Sequence, residues 1–216
     1  MFPKGLYALA DDGASSPLSV EAQSEALLRG GVRVFQLRLK RTTGAQAVAV
    51  TGRVVALARA AGAVLLVNDR VDWAMLGGAH GVHLGEEDLS AQEARQLLGP
   101  AALLGVTVRN GAEARAAHTA GADYVGLGPV FPPRSKQVAV PPLGLEGLRR
   151  AVEESPLPVV AIGGVGLSSI RAVARAGAYG AAVVSDLLGA DDIASRVRAL
   201  EEEFLRGVAE RGIPPR

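Results

Sequence analysis

The sequence contains no cysteine, which excludes disulfide bonds, a thiolate nucleophile and a cysteine-ligated zinc site. It also lacks an excess of charge of either sign: 23 Lys and Arg residues balance 22 Asp and Glu residues, and the formal net charge is +1. This balance gives no overall field that would attract nucleic acid or an anionic membrane. Aromatic residues make up only 4% of the chain and do not interleave with a basic stripe, so we expect no nucleic-acid partner.

Long hydrophobic runs are also absent. The first residues lead directly into an apolar segment of about six residues, which is too short for a signal sequence or a membrane span. We therefore expect a cytoplasmic protein with no membrane partner. Of the 216 residues, 49% are hydrophobic, which is enough to bury a full core, and we predict one domain over residues 1–216.

Short β-type segments alternate with helical patterns along the whole chain. Glycines such as Gly62 and Gly121 separate a helical pattern from the next strand, where a left-handed residue would end the helix. Eight alternations predict an α/β fold, a single (β/α)8 TIM barrel. An open doubly wound sheet is the alternative, but no dinucleotide-type glycine fingerprint follows the first strand. The predicted strands are 6–10, 32–39, 63–68, 81–84, 103–108, 124–127, 159–162 and 181–185, and the predicted helices are 20–28, 46–60, 71–76, 91–98, 112–119, 145–154, 168–176 and 193–208.

The second predicted strand carries polar side chains on one face. Gln36, Arg38 and Lys40 alternate with apolar residues and therefore point to the same side. Other predicted strands, such as 63–67 and 159–162, are apolar on both faces, as in a parallel sheet covered by helices. An amide, a guanidinium and an ammonium group on one face of a buried sheet indicate an anionic ligand. The alternative is an edge strand with a solvated face.

Two carboxylates follow neighbouring predicted strands. In TIM barrels the active site is built where the strands end and the βα loops begin. Asp69 and Asp88 follow the third and fourth strands, so they could share one Mg²⁺, an ion that prefers oxygen ligands and substrate phosphates. The alternative is that each aspartate caps the helix after it. The segment 128–144, with five prolines, predicts a long loop at the same end of the barrel.

Cations and glycines at this end of the barrel could bind phosphate groups. Arg38, Lys40 and Lys136 have no acidic sequence neighbours and suit a pyrophosphate, although each alone could be a solvated surface charge. Gly164 and Ser185 follow the seventh and eighth strands, where barrels commonly bind phosphate through backbone N–H groups.

The histidines do not form a metal-binding pattern. His83 lies within an apolar strand, and we interpret it as a packed, hydrogen-bonded interior group and not as a base. His80 is predicted at the opposite end of the barrel from the site, and His118 on a helix. The order of Ser, His and Asp residues gives no support for covalent acyl chemistry.

Taken in order, six segments of the sequence resemble the thiamine-phosphate synthases (thiamine-phosphate pyrophosphorylases). They are QLRLK at 36–40, VNDRVDWAM at 67–75, GVHLGEED at 81–88, GADYVGLGPVFPPRSK at 121–136, PLGLEGL at 142–148 and AIGGV at 161–165. The resemblance covers nearly the whole chain. It implies a TIM barrel that joins hydroxymethylpyrimidine diphosphate to thiazole phosphate and releases pyrophosphate and thiamine phosphate.

The same resemblance implies a role for each matched site residue. Gln36, Arg38, Lys40 and Asn68 would hold the pyrimidine diphosphate, Thr107 and Lys136 the pyrophosphate, Ser135, Gly164 and Ser185 the thiazole phosphate, and Asp69 and Asp88 Mg²⁺; Val184 would be a further substrate-binding residue. Arg38, Lys40 and Lys136 would be the catalytic cations. The implied mechanism is dissociative: pyrophosphate leaves the pyrimidine methylene, and the thiazole nitrogen captures the resulting cation. Such a reaction needs charge neutralisation and alignment but no protein nucleophile.

Three positions depart from the residues usual in this family. Leu39 stands where Glu is usual, Arg109 in place of His, and Pro133 in place of Thr. They keep open a second interpretation, the related thiazole tautomerases, which commonly lack the metal-binding Asp and use a His at the position of Arg109. Both aspartates and Lys136 are present, which favours the synthase. A third interpretation is a non-catalytic protein that binds thiamine phosphate or its precursors. The resemblance also implies that two copies could form a homodimer.

Overall fold

A computed structural model describes residues 2–132 and 141–211. Eight parallel strands pair in sequence order and close into a barrel, which confirms the single (β/α)8 fold and excludes the open sheet. Within the described part of the chain, no helix is long and apolar enough to cross a membrane. The strands are β1 Gly5–Asp11, β2 Val34–Arg38, β3 Val64–Asn68, β4 Gly81–Leu84, β5 Leu103–Val108, β6 Tyr124–Leu127, β7 Val159–Ala161 and β8 Gly180–Val183. The described helices are α1 Val20–Arg29, α2 Gly44–Ala60, α3 Val71–Gly77, α4 Ala91–Leu98, α5 Gly111–Thr119, α6 Gly144–Glu154, α7 Ile170–Arg175, α8 Ser185–Leu188 and α9 Ile193–Ala209.

Apolar side chains form one layer on each side of the barrel sheet. Phe35 and Leu37 of β2 lie in the layer between strands and helices, where both are fully buried. Tyr7, Leu66 and Tyr124 belong to a second, smaller cluster in the barrel interior. Because side chains alternate along a strand, residues between the outward-facing positions point into the barrel. The polar face of β2 is therefore an inward face.

Most predicted elements are found with their ends shifted by one or two residues, and two strands and one additional helix differ in ways that affect the site. β2 covers Val34–Arg38 instead of residues 32–39, and β8 ends at Val183 instead of residue 185. Ser185 begins α8, which spans four residues and is too short to produce a helical period in the sequence. Gly62 and Gly121 have positive φ angles of 66° and 93°, as predicted for glycines that end helices.

Candidate active site

Asp69 and Asp88 lie together at the carboxyl ends of β3 and β4. The backbone N–H of Asp69 donates to the carbonyl of His83 at 2.8 Å, which joins the two strand ends. The Asp88 Oδ2 accepts from the N–H of Gly85 at 2.7 Å. Burial raises the pKa of Asp88, and the neighbouring Asp69 carboxylate raises it further, against the lowering effects of Gly85 and Lys40. Two carboxylates this close oppose each other's ionisation, so the pair favours a cation.

The helix-cap alternative for these aspartates is wrong. The N-cap of α3 is Arg70, with no side-chain hydrogen bond to the helix. The N-cap of α4 is Ser90, which forms a reciprocal capping box with Glu93. The carboxylates of Asp69 and Asp88 are therefore not used as caps.

The inward face of β2 brings its three polar side chains to the interior and the mouth of the barrel. Gln36 is 3% exposed and donates through Nε2 to the Tyr7 hydroxyl at 3.3 Å. Arg38 Nη1 bonds Asp11 Oδ2 at 2.8 Å, and Lys40 Nζ pairs directly with Asp69. A closed barrel has no edge strand, so the interpretation of this face as a solvated edge is wrong.

The last residue of β1 and the first residue of the loop after it are aspartates that contact Arg38 and the backbone around Lys40. Asp11 is 5% exposed and accepts from Gly13 N–H at 2.7 Å as well as from Arg38. Asp12 accepts from the backbone N–H groups of Lys40 at 2.6 Å and Thr42 at 2.8 Å. Burial opposes ionisation of Asp12, but these N–H donors outweigh it and lower the pKa of its carboxyl. Neither residue was predicted as part of the site; the signal available in the sequence was an acidic residue directly after an apolar strand pattern.

His83 lies inside the barrel and contacts two hydroxyl groups. Its Nδ1 lies 2.9 Å from the Tyr124 hydroxyl, and its Nε2 lies 3.0 Å from the Thr107 hydroxyl. Burial lowers the pKa of His83 to about 4, against a smaller raising effect of Asp69, so the ring is uncharged at neutral pH. The interpretation of His83 as a hydrogen-bonded interior group is confirmed. His80 accepts from Leu65 N–H at 3.1 Å, at the start of its strand and away from the site.

The loops after β7 and β8 form the other side of the barrel mouth. Gly164 has a φ of 67° and packs against the loop after β6, where an added Cβ would lie 2.8 Å from the Phe131 Cβ. The N–H of Leu167 donates to Asp186 at 3.3 Å and so joins the two loops. Among the described residues, none accepts a hydrogen bond from the backbone N–H of Gly164 or Ser185. Such N–H groups suit a phosphate.

The remaining candidates divide into those the structure places and those it does not describe. Asn68 ends β3 and shares the inward register of Leu66, and Val184 packs against the interior cluster. Ser135 and Lys136 lie outside the described residues, as does Pro133. Arg109 pairs with Glu86 at 3.1 Å. Within residues 2–132 and 141–211, no group of three or more His, Cys, Asp or Glu side chains could hold a metal, so Asp69 and Asp88 remain a pair.

The barrel carries carboxylates and cations at the carboxyl ends of its strands, together with two backbone N–H groups for which the described residues supply no acceptor. These features define a (β/α)8 enzyme fold with a site suited to phosphorylated ligands. The chain belongs to the thiamine monophosphate synthase family, whose family model matches residues 6–187.

Relatives and solved structures agree with this family over nearly the full chain. A thiamine-phosphate synthase from Myxococcus xanthus is 57% identical over 205 residues, which is 95% of this chain and 94% of that protein. One from Anaeromyxobacter dehalogenans is 47% identical, over 98% of this chain and 92% of that protein. The solved thiamine phosphate pyrophosphorylase from Pyrococcus furiosus superposes with a TM-score of 0.83 at 32% identity, over 94% of this chain and 96% of that one.

Proposed function

We propose that this protein is a Mg²⁺-dependent thiamine-phosphate synthase, which condenses hydroxymethylpyrimidine diphosphate with thiazole phosphate to give thiamine phosphate and pyrophosphate. The observation that carries the proposal is the meeting of Asp69, Asp88 and Lys40 at the mouth of the barrel. Two facing carboxylates beside a lysine provide both a cation site and a cationic partner for a diphosphate. The identity of the relatives, at 57% and 47%, gives independent support.

Asp69 and Asp88 fit the requirements of Mg²⁺. Both supply oxygen ligands. The pKa of Asp88 is raised first by burial and then by the neighbouring Asp69 carboxylate, and a divalent cation would relieve the repulsion between the two carboxylates. When bound, Mg²⁺ would neutralise charge on the diphosphate and on the departing pyrophosphate. Lys40 and Arg38 would add charge from the neighbouring strand, with Lys136 contributing from the loop after β6.

The other residues would hold the two substrates in line. We propose that Gln36 and Asn68 contact the pyrimidine diphosphate inside the barrel, and that Thr107 contacts the pyrophosphate. The thiazole phosphate would lie between the loops after β7 and β8, and the residues assigned to it are Ser135, Gly164, Val184 and Ser185. The reaction would then begin with loss of pyrophosphate from the pyrimidine methylene. Alignment of the thiazole nitrogen with that carbon converts its capture into an intramolecular step.

Side chains such as Arg38 would neutralise charge and orient the leaving group through hydrogen bonds, and they would form no covalent bond to substrate. Asp11 keeps the Arg38 guanidinium oriented through the 2.8 Å contact. A preoriented cation stabilises charge as it develops on the leaving group without having to reorganise during the reaction. The described site residues agree with this role, because they supply cations, carboxylates and N–H donors.

The test is a coupling assay with the purified protein. Both phosphorylated substrates are incubated with Mg²⁺, and the product is oxidised to fluorescent thiochrome. We expect thiochrome that requires both substrates, with an equal amount of pyrophosphate released. Binding of both substrates without any product above background would contradict the proposal and favour the non-catalytic binder.

The structure weighs against the tautomerase alternative. At the position where those relatives use a histidine, Arg109 is paired with Glu86, and a guanidinium does not give up a proton in proteins. The tautomerase alternative would be supported if the protein aromatised the thiazole without metal and formed no thiamine phosphate in the coupling assay. A cytoplasmic location and a homodimer remain predictions.

A further inference from the structure

A chain of hydrogen-bonded side chains crosses the barrel interior from β2 to β5. Gln36 Nε2 donates to the Tyr7 hydroxyl at 3.3 Å, and the Tyr7 and Tyr124 hydroxyls lie 3.0 Å apart. His83 continues the chain, with Nδ1 2.9 Å from the Tyr124 hydroxyl and Nε2 3.0 Å from the Thr107 hydroxyl. We call these five residues the interior relay. It connects Gln36, which we assign to the pyrimidine, with Thr107, which we assign to the pyrophosphate.

Two glycines on neighbouring strands leave room for the rings of Tyr124 and His83 in the barrel interior. A Cβ on Gly105 would lie 2.1 Å from the Tyr124 Cζ, and a Cβ on Gly126 would lie 2.9 Å from the His83 Cε1. Any other residue at these two positions would displace the rings. Phe2 stacks on Tyr124 from the floor of the barrel, with ring centroids 4.1 Å apart. Backbone and core packing therefore fix the relay in one arrangement.

The hydrogen atoms of the relay can be assigned so that both tyrosine hydroxyls and the ring N–H group of His83 have an acceptor. A tyrosine hydroxyl has one hydrogen, and burial raises the pKa of both tyrosines, so both remain protonated. Tyr7 accepts from Gln36, and the Tyr124 hydroxyl is the other group among the described residues that is hydrogen-bonded to the Tyr7 hydroxyl. The arrangement in which no tyrosine hydrogen is left without an acceptor therefore has Tyr7 donating to Tyr124, and Tyr124 donating to His83 Nδ1. An Nδ1 that accepts from Tyr124 leaves the ring hydrogen on Nε2, which then donates to Thr107. With its oxygen facing this donor, Thr107 must direct its own hydrogen away from His83.

We propose that the interior relay holds the Thr107 hydroxyl as a hydrogen-bond donor for an oxygen of the departing pyrophosphate, with His83 and Tyr124 as positioning residues. The inference rests on the proposed function, which supplies the leaving group. In that reaction the C–O bond to pyrophosphate breaks, the electron pair leaves with the oxygen, and negative charge grows on it. A donor that is oriented beforehand stabilises this charge without reorganisation. The relay also ties the pyrimidine-facing amide of Gln36 to the same donor.

The first test reads the imidazole tautomer in the intact, folded protein by ¹⁵N NMR. We expect the His83 ring, assigned by its loss in His83→Gln, to carry its hydrogen on Nε2. Tyr124→Phe should shift the His83 Nδ1 signal, because Nδ1 loses its donor. Tyr179→Phe, which removes a hydroxyl bonded to the Phe2 carbonyl outside the relay, should leave the His83 signals unchanged. A His83 ring with its hydrogen on Nδ1 would overturn the proposal.

The second test compares kcat and KM among variants at saturating Mg²⁺. Loss of an oriented hydrogen bond to a charged group should lower kcat about tenfold or more in Tyr124→Phe and in His83→Leu. His83→Gln should recover much of this loss, because its amide can accept from Tyr124 and donate to Thr107. KM for the thiazole phosphate should stay unchanged throughout, as should both constants in Tyr179→Phe.

A double variant separates positioning from a general structural effect. If the relay acts through Thr107, then adding Tyr124→Phe to Thr107→Val should lower kcat no further. Additive losses, or an unchanged kcat in Tyr124→Phe, would contradict the proposal. A wild-type protein that makes no product would instead contradict the proposed function, and the tautomer measurement would remain the test of the relay.

Discussion

Asp69 combines an unusual backbone conformation with three contacts at the site. Its φ of 64° lies in the left-handed region, which Asp and Asn tolerate better than other non-glycine residues. Its N–H donates to the His83 carbonyl at 2.8 Å, while its carboxylate meets Lys40 and Asp88. Such strain persists where the surroundings fix it and is typical of functional positions. Asp69, which the sequence suggested as a metal ligand, is therefore also the non-glycine residue with a left-handed backbone among those the structure describes.

His83 gives a residue-scale prediction for stability against pH. Its pKa is about 4 in the folded protein and about 6.5 in the unfolded chain, so the unfolded chain takes up the proton first as pH falls. The free energy of unfolding should therefore decrease from about pH 6.5 down to about pH 4 and change little from this source below that. Between pH 7 and pH 5, urea unfolding of the wild type should lose about 1 to 2 kcal/mol more than that of His83→Gln. Equal losses in the two proteins would contradict the low pKa.

Single residues were predictable where their neighbours in sequence revealed their setting. Asp69 and Asp88 follow apolar strands directly, so their position at the barrel mouth could be read from the sequence. Asp11 stands before Asp12 and Gly13, a sequence typical of a turn, and one of its oxygens does accept from Gly13 N–H; its second oxygen, however, binds Arg38 of the next strand. That contact, like the one between the Tyr7 and Tyr124 hydroxyls, joins residues far apart in the chain, and no local pattern encodes it.

At the scale of elements, the loop after β7 provides a prediction with a matched control. Gly164 and Gly62 have nearly equal φ angles of 67° and 66°, but an added Cβ meets Pro132 O at 2.8 Å only at Gly164, with nothing within 4 Å at Gly62. Both Ala variants should lose about 1 kcal/mol of stability from the left-handed φ. Only Gly164→Ala should also raise KM for the thiazole phosphate, by about tenfold, because the loop N–H groups shift.

Steady-state kinetics with varied thiazole phosphate provide the measurement for this loop. Equal KM values in Gly164→Ala and Gly62→Ala would remove Gly164 from the phosphate site. A higher KM in both would indicate that strain alone, and not displacement of the loop, is responsible.

Elements were predicted well where periodicity and glycine boundaries agree. β3 to β6 match the predicted strands to within one residue, because each is a short apolar run between turn residues. β2 was predicted too long, since its apolar alternation continues through Val32 and Leu39 although the ladder covers only Val34–Arg38. A strand ends where its hydrogen bonds to neighbouring strands end. The sequence of a single strand does not show where those neighbours begin and stop, so its ends cannot be predicted from that sequence alone.

At the scale of the whole molecule, closure of the barrel explains why one face of β2 is polar. Closure removes the edges and turns Gln36 into the interior, with Arg38 and Lys40 towards the mouth. Leu39 is 7% exposed and lies in the apolar layer between strands and helices. Its departure from the usual Glu of the family is thus on the helix-facing side and leaves the inward face intact. The strand that looked anomalous in sequence becomes one wall of the proposed diphosphate site.

The central claim is that a carboxylate pair makes this barrel a metal-dependent synthase, and Asp69→Asn tests it most directly. Asn suits the left-handed φ of Asp69 but removes its charge, so folding should be retained while metal-assisted charge neutralisation is lost. Asp72→Asn is the control, since Asp72 pairs with Arg70 on the exposed side of the same connection. The measurement is the rate of thiamine phosphate formation from both substrates as Mg²⁺ is varied. We predict that Asp69→Asn falls by about two orders of magnitude or more while Asp72→Asn matches the wild type; an Asp69→Asn protein with wild-type rate and Mg²⁺ dependence would contradict the account.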